Sequence, residues 1–128
     1  MDTQIIIRPN LQLIYVSNIE KSTLFYKNIF NLEPTLVTPR YVAFSVMPTN
    51  DEVTFALWTG ADFPDRESAR FSEIGIMLRN DKEVEKLYQS WSTRSEIHFE
   101  QEIYADVFGL TFLIRDPDGH IIRVCSVD

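Results

Sequence analysis

A helix pattern occurs twice in this chain, 62 residues apart, and no other feature limits the possible folds as much. Ser17-Asn18-Ile19-Glu20-Lys21-Ser22 opens the first copy and Asn80-Asp81-Lys82-Glu83 opens the second. In the first, Ser22, Phe25, Tyr26, Ile29 and Phe30 recur at the spacing of one helical face. In the second, Val84, Leu87, Tyr88 and Trp91 do the same. At the common offset, Phe25 falls on Leu87, Tyr26 on Tyr88 and Ile29 on Trp91. The core faces coincide, so the chain reads as one unit duplicated.

Local signals complete each unit. Ser17 and Glu20 match a capping box, in which side-chain oxygens satisfy the orphan N–H groups of a helix start. Asn80 or Asp81 caps the second helix. The first helix ends near Asn31, ahead of Pro34. Strands are predicted at Leu11–Val16, Thr35–Thr38, Tyr41–Val46 and Val53–Trp58 in the first half. The second half predicts Glu73–Leu78, Ile97–Tyr104, Leu110–Arg115 and Ile121–Ser126. Asp116-Pro117-Asp118-Gly119 is a turn, with Pro where a locked φ fits and Gly where φ turns positive. Thr59 to Arg70 holds Gly60, Pro64 and five charged residues and reads as the linker. The expected fold is α+β: one domain over 1–128, made of two βαβββ modules at about 9–58 and 72–127. Their sheets curve as a mixed sheet around a cleft, with helices on the outer face.

Composition limits the function. With 128 residues and 45% apolar content the chain is long enough to bury a real core. A net charge of −7 disfavours nucleic acid and anionic membranes as partners. Cys125 is the single cysteine and sits inside an apolar strand, so it reads as a small buried hydrophobe. Met1-Asp2-Thr3-Gln4 lacks a basic start, Ile5-Ile6-Ile7 is too short for a signal core, and no apolar run matches a membrane span. A cytoplasmic setting is expected.

The Ser-Asn-x-x-x-Ser-x-x-Phe-Tyr run from Ser17 and the Asp116-Pro117-Asp118-Gly119-His120 turn resemble those of the vicinal-oxygen-chelate superfamily. This is also called the glyoxalase/bleomycin-resistance/dioxygenase family. The resemblance implies one divalent metal held at four strand positions in its enzymes. Here those positions carry Leu11, Ala56, Glu73 and Arg123. One carboxylate beside an arginine is not a metal site, since such a site needs three or four His, carboxylate or thiolate donors. The two histidines, His98 and His120, read as solvent-facing or structural. No metal or other cofactor is expected. The resemblance also implies a homodimer whose cleft is completed by a partner chain or by swapped modules.

Longer blocks resemble the phenazine-resistance branch of the superfamily. They include Pro9-Asn10-Leu11-Gln12-Leu13, Val37-Thr38-Pro39-Arg40-Tyr41-Val42-Ala43-Phe44, Arg70-Phe71-Ser72-Glu73-Ile74-Gly75-Ile76-Met77-Leu78 and Asp106-Val107-Phe108-Gly109. The resemblance implies a metal-free, non-enzymatic protein that sequesters a planar tricyclic antibiotic of the griseoluteic-acid type.

Strand alternation gives candidate residues independently. If 11, 56, 73 and 123 face the cleft, so do Tyr15, Trp58 and Cys125, while Phe55, Leu57, Ile74, Ile122 and Val124 face the helices. A mixed inner face with a few polar groups suits a small-molecule pocket. The loop aromatics Tyr41, Phe44, Tyr104, Phe108 and Phe112 add to it. The candidate ligand-binding residues are Trp58, Phe108, Tyr15, Tyr104, Arg123, Glu73, Tyr41, Phe44 and Phe112. Aromatic rings would sandwich a planar ligand, and Arg123 would clamp a carboxylate. Glu73 and Arg123 are read either as a structural salt bridge or as ligand contacts. The alternative is an enzyme of the same fold acting on a small aromatic substrate, with Glu73 as general base.

Overall fold

The computed structural model of the protein describes residues 5–47, 53–60, 62–107 and 109–126. The chain divides after Pro64 into two compact units. The first runs β1 (Leu11–Tyr15), α1 (Ile19–Phe30), β2 (Leu36–Val37), β3 (Tyr41–Ser45) and β4 (Thr54–Trp58). The second runs β5 (Ile74–Leu78), α2 (Asp81–Ser92), β6 (His98–Asp106), β7 (Gly109–Arg115) and β8 (Ile121–Ser126). Each is a βαβββ module with its own four-stranded mixed sheet, ordered β1-β4-β3-β2 and β5-β8-β7-β6. First and last strands pair in parallel and the other pairs are antiparallel. A parallel pair needs a long crossover, which the helix and the following strands supply.

The first helix is capped one residue later than expected. Asn18 has extended φ/ψ of −136° and 102°, and its side chain accepts the Lys21 N–H at 3.0 Å. The cap of the helix is therefore Asn18, whose side chain serves the amide three residues on, and not Ser17. In α2, Asn80 caps through the Glu83 N–H at 2.9 Å. Asn18 and Asn80 are themselves 62 residues apart, so the duplication extends to the caps. Asp81 is not the cap. Its carboxylate accepts instead from the Leu110 N–H (2.9 Å) and the Ser126 hydroxyl (2.8 Å), tying the helix start to β7 and β8.

Each helix covers one face of its own sheet. In the first unit Tyr26 packs on Phe55 (ring centroids 4.7 Å apart), and Phe30 meets both Phe55 and Phe44. In the second, Tyr88, Trp91 and Phe99 surround Phe112 at 5.3–5.8 Å. Two candidate site residues are therefore core. Phe44 and Phe112 are both 0% exposed. Register gives the reason: Phe44 pairs with Phe55, and Phe112 with Val124, both helix-facing. Tyr41 and Phe44 lie three positions apart on one strand, so they cannot share a face.

The expected linker also needs correction. The stretch 65–70 is built into the second unit. Asp65 accepts from the Glu67 N–H and the Ser68 hydroxyl, so the stretch folds on itself. Arg70 donates to the carbonyls of Asp65, Ser68 and Asp118, the last at 2.7 Å, and Arg66 donates to the carbonyl of Pro117. The turn they grip is held from within by the buried Asp116 carboxylate, which accepts the N–H groups of Asp118 and His120. Gly119 has φ of +87°, and a Cβ there would sit 3.0 Å from the Arg66 carbonyl, so this position requires glycine. Among the described residues, no helix is long and apolar enough to cross a membrane.

Candidate functional site

The face of the first sheet away from α1 carries a row of rings. Tyr15 pairs with Trp58 across β1 and β4, and Tyr41 pairs with Trp58 across β3 and β4. Residues in register on neighbouring strands project on the same side, so three aromatic side chains stand abreast. Tyr15 is 46% exposed; Trp58 and Tyr41 are half-buried. Tyr41 meets the edge of Trp58 at 6.4 Å and 63°. The next row on that face is Leu13, Ala56 and Ala43, whose two small side chains are buried beside the rings.

Two neighbours fix Trp58. A Cβ at Gly60 would fall 2.2 Å from an indole carbon, so only glycine leaves room for this ring. The guanidinium of Arg40 lies over the indole, 5.5 Å from its centroid. Arg40 sits in the tight β2–β3 connection. There the Thr38 hydroxyl donates to the Tyr41 carbonyl and accepts the Tyr41 N–H, both at 2.8 Å. The Thr59 N–H donates to the Arg40 carbonyl at 2.9 Å, linking this turn to the end of β4.

The corresponding face of the second sheet carries an ion pair in place of the rings. Arg123 forms a two-pronged pair with Glu73, Nε to Oε1 at 2.6 Å and Nη2 to Oε2 at 3.0 Å. This geometry matches the planar fork of a guanidinium to a carboxylate. The Glu73 hydrogen bond raises the Arg123 pKa above its ordinary value; burial opposes this and Tyr104 adds to it. The Tyr104 hydroxyl donates to Asp106 at 2.8 Å. The Val107 N–H, then that hydroxyl and the charge of Arg123, hold the Asp106 carboxyl below the usual range. Burial pushes the Cys125 thiol up, with Arg123 opposing, so it is a poor nucleophile.

The structure thus groups Tyr15, Trp58 and Tyr41 in the first unit and Glu73, Arg123 and Tyr104 in the second. Phe108 lies outside the described residues. Sequence reasoning missed Arg40, Gly60 and Asp106. Alternation along β6 pairs Asp106 with Tyr104 and could have found it. Arg40 could not be found that way, because its contact with Trp58 comes from the turn and not from strand parity.

The four positions assigned to a metal do not fit one. Leu11 and Ala56 offer only hydrocarbon, Arg123 is a cation, and both oxygens of Glu73 are engaged by Arg123. Among the described residues, no three His, Cys, Asp or Glu side chains are grouped to hold a metal ion. A groove of about 540 Å³ runs beside α1, lined by Ile19, Thr23, Leu24, Lys27, Val37 and Pro39 among others. It is lined by no aromatic ring and is open to solvent. A planar ligand gains more from the aromatic row than from this groove.

Residues 8–124 match the family model described as the glyoxalase/bleomycin resistance protein/dioxygenase superfamily. The chain belongs to this superfamily. It is also 56% identical over 124 residues to the phenazine antibiotic resistance protein EhpR of Enterobacter agglomerans, covering 95% of this chain and 94% of that protein. A protein of Agrobacterium tumefaciens solved in solution is 25% identical, with 94% and 98% of the two chains covered and a TM-score of 0.77. A glyoxalase/bleomycin resistance protein/dioxygenase from Alicyclobacillus acidocaldarius is 18% identical, with coverage of 91% and 88% and a TM-score of 0.73, and shows the same superfamily fold.

Proposed function

We propose that this protein binds a planar aromatic antibiotic of the phenazine class on its aromatic face and confers resistance by holding the drug unaltered, without a metal. The observation that carries this reading is the in-register row Tyr15–Trp58–Tyr41 on a sheet face free of its helix. A flat ring laid on Trp58 gains roughly 0.5–1.5 kcal/mol beyond the apolar area it buries. The 56% identity to a protein named for phenazine resistance supports this ligand class.

Sequestration asks nothing of acid–base chemistry, and the ionisable groups suit that. Glu73, the candidate general base, spends its carboxylate on Arg123. Cys125 is buried with a raised pKa. We further infer a cytoplasmic homodimer. Leu36 and Val37 on the edge strand β2 are 49% and 65% exposed, and an apolar edge of this kind is commonly covered. Sedimentation of the purified chain at micromolar concentration should give twice the monomer mass, and a monomer would reject this.

Calorimetric titration with phenazine-1-carboxylic acid tests the binding itself. We expect saturable binding, with the ligand recovered intact by mass spectrometry. Trp58→Ala should weaken it by about 2 kcal/mol, roughly 30-fold. Absence of saturation at micromolar protein would sink the binding reading. A chemically altered ligand would replace it with the enzymatic one.

A further inference from the structure

Arg40 differs from the other arginines whose contacts are resolved. Arg79, Arg115 and Arg123 each hold a carboxylate: Glu83, Glu100 and Glu73. Arg66 and Arg70 donate to turn carbonyls. The Arg40 guanidinium rests on the Trp58 ring, and among the described residues it makes no ion pair. Its backbone is fixed by the Thr38–Tyr41 turn and by Thr59. The residue is exposed, so the cation is tethered at the root and meets solvent at the tip.

Such a contact is weak when solvent reaches it. A planar arene offers Trp58 a larger stacked area and would take the place of the guanidinium. The displaced cation would stay within a side chain's length of whatever replaced it. A neutral arene would then lose the cation–π contact without recompense. An arene bearing a carboxylate would recover it as a charge-assisted hydrogen bond, which is stronger. The protein as a whole carries a net charge of −7, so an anionic ligand needs a local cation to approach. Arg123 does not serve that need while Glu73 fills its fork.

We propose that Arg40 is a specificity-determining residue: a displaceable counter-ion that selects planar arenes with an anionic group over neutral ones. This rests on the reading of the Trp58 face as the ligand site.

The test compares phenazine-1-carboxylate with its uncharged isostere phenazine-1-carboxamide, on wild type, Arg40→Gln and Arg40→Lys, at low and high salt. Wild type should bind the carboxylate about tenfold tighter. The preference should shrink as salt rises, because the cation is exposed. Arg40→Gln should bring the two ligands within about twofold, by weakening the carboxylate and sparing the amide. Arg40→Lys should restore part of the preference, since it keeps the charge but not the planar fork. A wild type without preference, or an Arg40→Gln protein that retains it, overturns the proposal while leaving phenazine binding intact. If neither compound binds wild type, the binding reading falls first and takes this inference with it.

Discussion

The two sheets share one strand order but differ on the faces away from their helices. The row Tyr15–Trp58–Tyr41 on β1, β4 and β3 corresponds to Met77–Cys125–Thr111 on β5, β8 and β7. The row below, Leu13–Ala56–Ala43, corresponds to Gly75–Arg123–Leu113. On the helix side the units agree in kind: Val42 and Phe44 occupy the places of Phe112 and Ile114, and all four are buried. A close-packed interior penalises every change of volume, whereas the other face is restricted only by what it contacts. Duplication therefore preserved the side that folds the module. The other side became a ring platform in one copy and an ion-pair network in the other.

The comparison breaks most easily at its shared element. Phe44→Ala and Phe112→Ala should each cost about 3–5 kcal/mol in chemical denaturation. A severe loss in one and a mild loss in the other would mean that the helix sides are not equivalent. Next in size are the duplicated caps. Asn18→Ala and Asn80→Ala should each cost about 1 kcal/mol by the same measurement.

Glu73→Gln sharpens the contrast between the other faces. It leaves Arg123 a neutral acceptor, and the partly exposed pair should then lose no more than about 1 kcal/mol of stability. A larger loss would mark the network as a structural core and not a tolerant surface.

The smallest effect concerns acid. Asp81 is held below the usual carboxylate range by the Leu110 N–H and then by the Ser126 hydroxyl. A lowered folded-state pKa means that the unfolded chain binds the proton more readily. Its contribution is thus complete at neutral pH and lost as pH falls through the lowered value. The denaturation midpoint should stay level between about pH 7 and pH 5 and drop below about pH 4. Asp81→Asn should flatten that drop. An unchanged slope would assign acid sensitivity to other carboxylates.

Much of this fold is legible in the sequence because each module is written in periods. Helical spacing marks Phe25, Tyr26 and Trp91, and alternation places Phe55 and Leu57 toward the helix and Trp58 away from it. Phe44 and Phe112 read as loop aromatics only while the strands around them are left uncounted. Counting from Tyr41, or from the strand ends, turns both inward. The Glu73–Arg123 pair is legible from the parallel register of first and last strands. The Arg40–Trp58 contact is not, because a turn sets it. Nor is the grip of Arg66 and Arg70 on the Asp116–Gly119 turn, since donors about 50 residues from their acceptors leave no periodic trace.

The strand order also sets a folding timetable. In each module the last strand lies inside the sheet and joins the first, which has no other strand to pair with in that sheet. The parallel ladder between Leu11–Tyr15 and Thr54–Trp58 must wait until the helix and two intervening strands have been made. Closing that loop costs chain entropy before the ladder contacts of β1 offset it. A nascent first module should therefore hold a loose β1 until Trp58 emerges, and then lock cooperatively. The residue that completes the ring platform is also the one that closes the sheet, so a partly made module presents no platform.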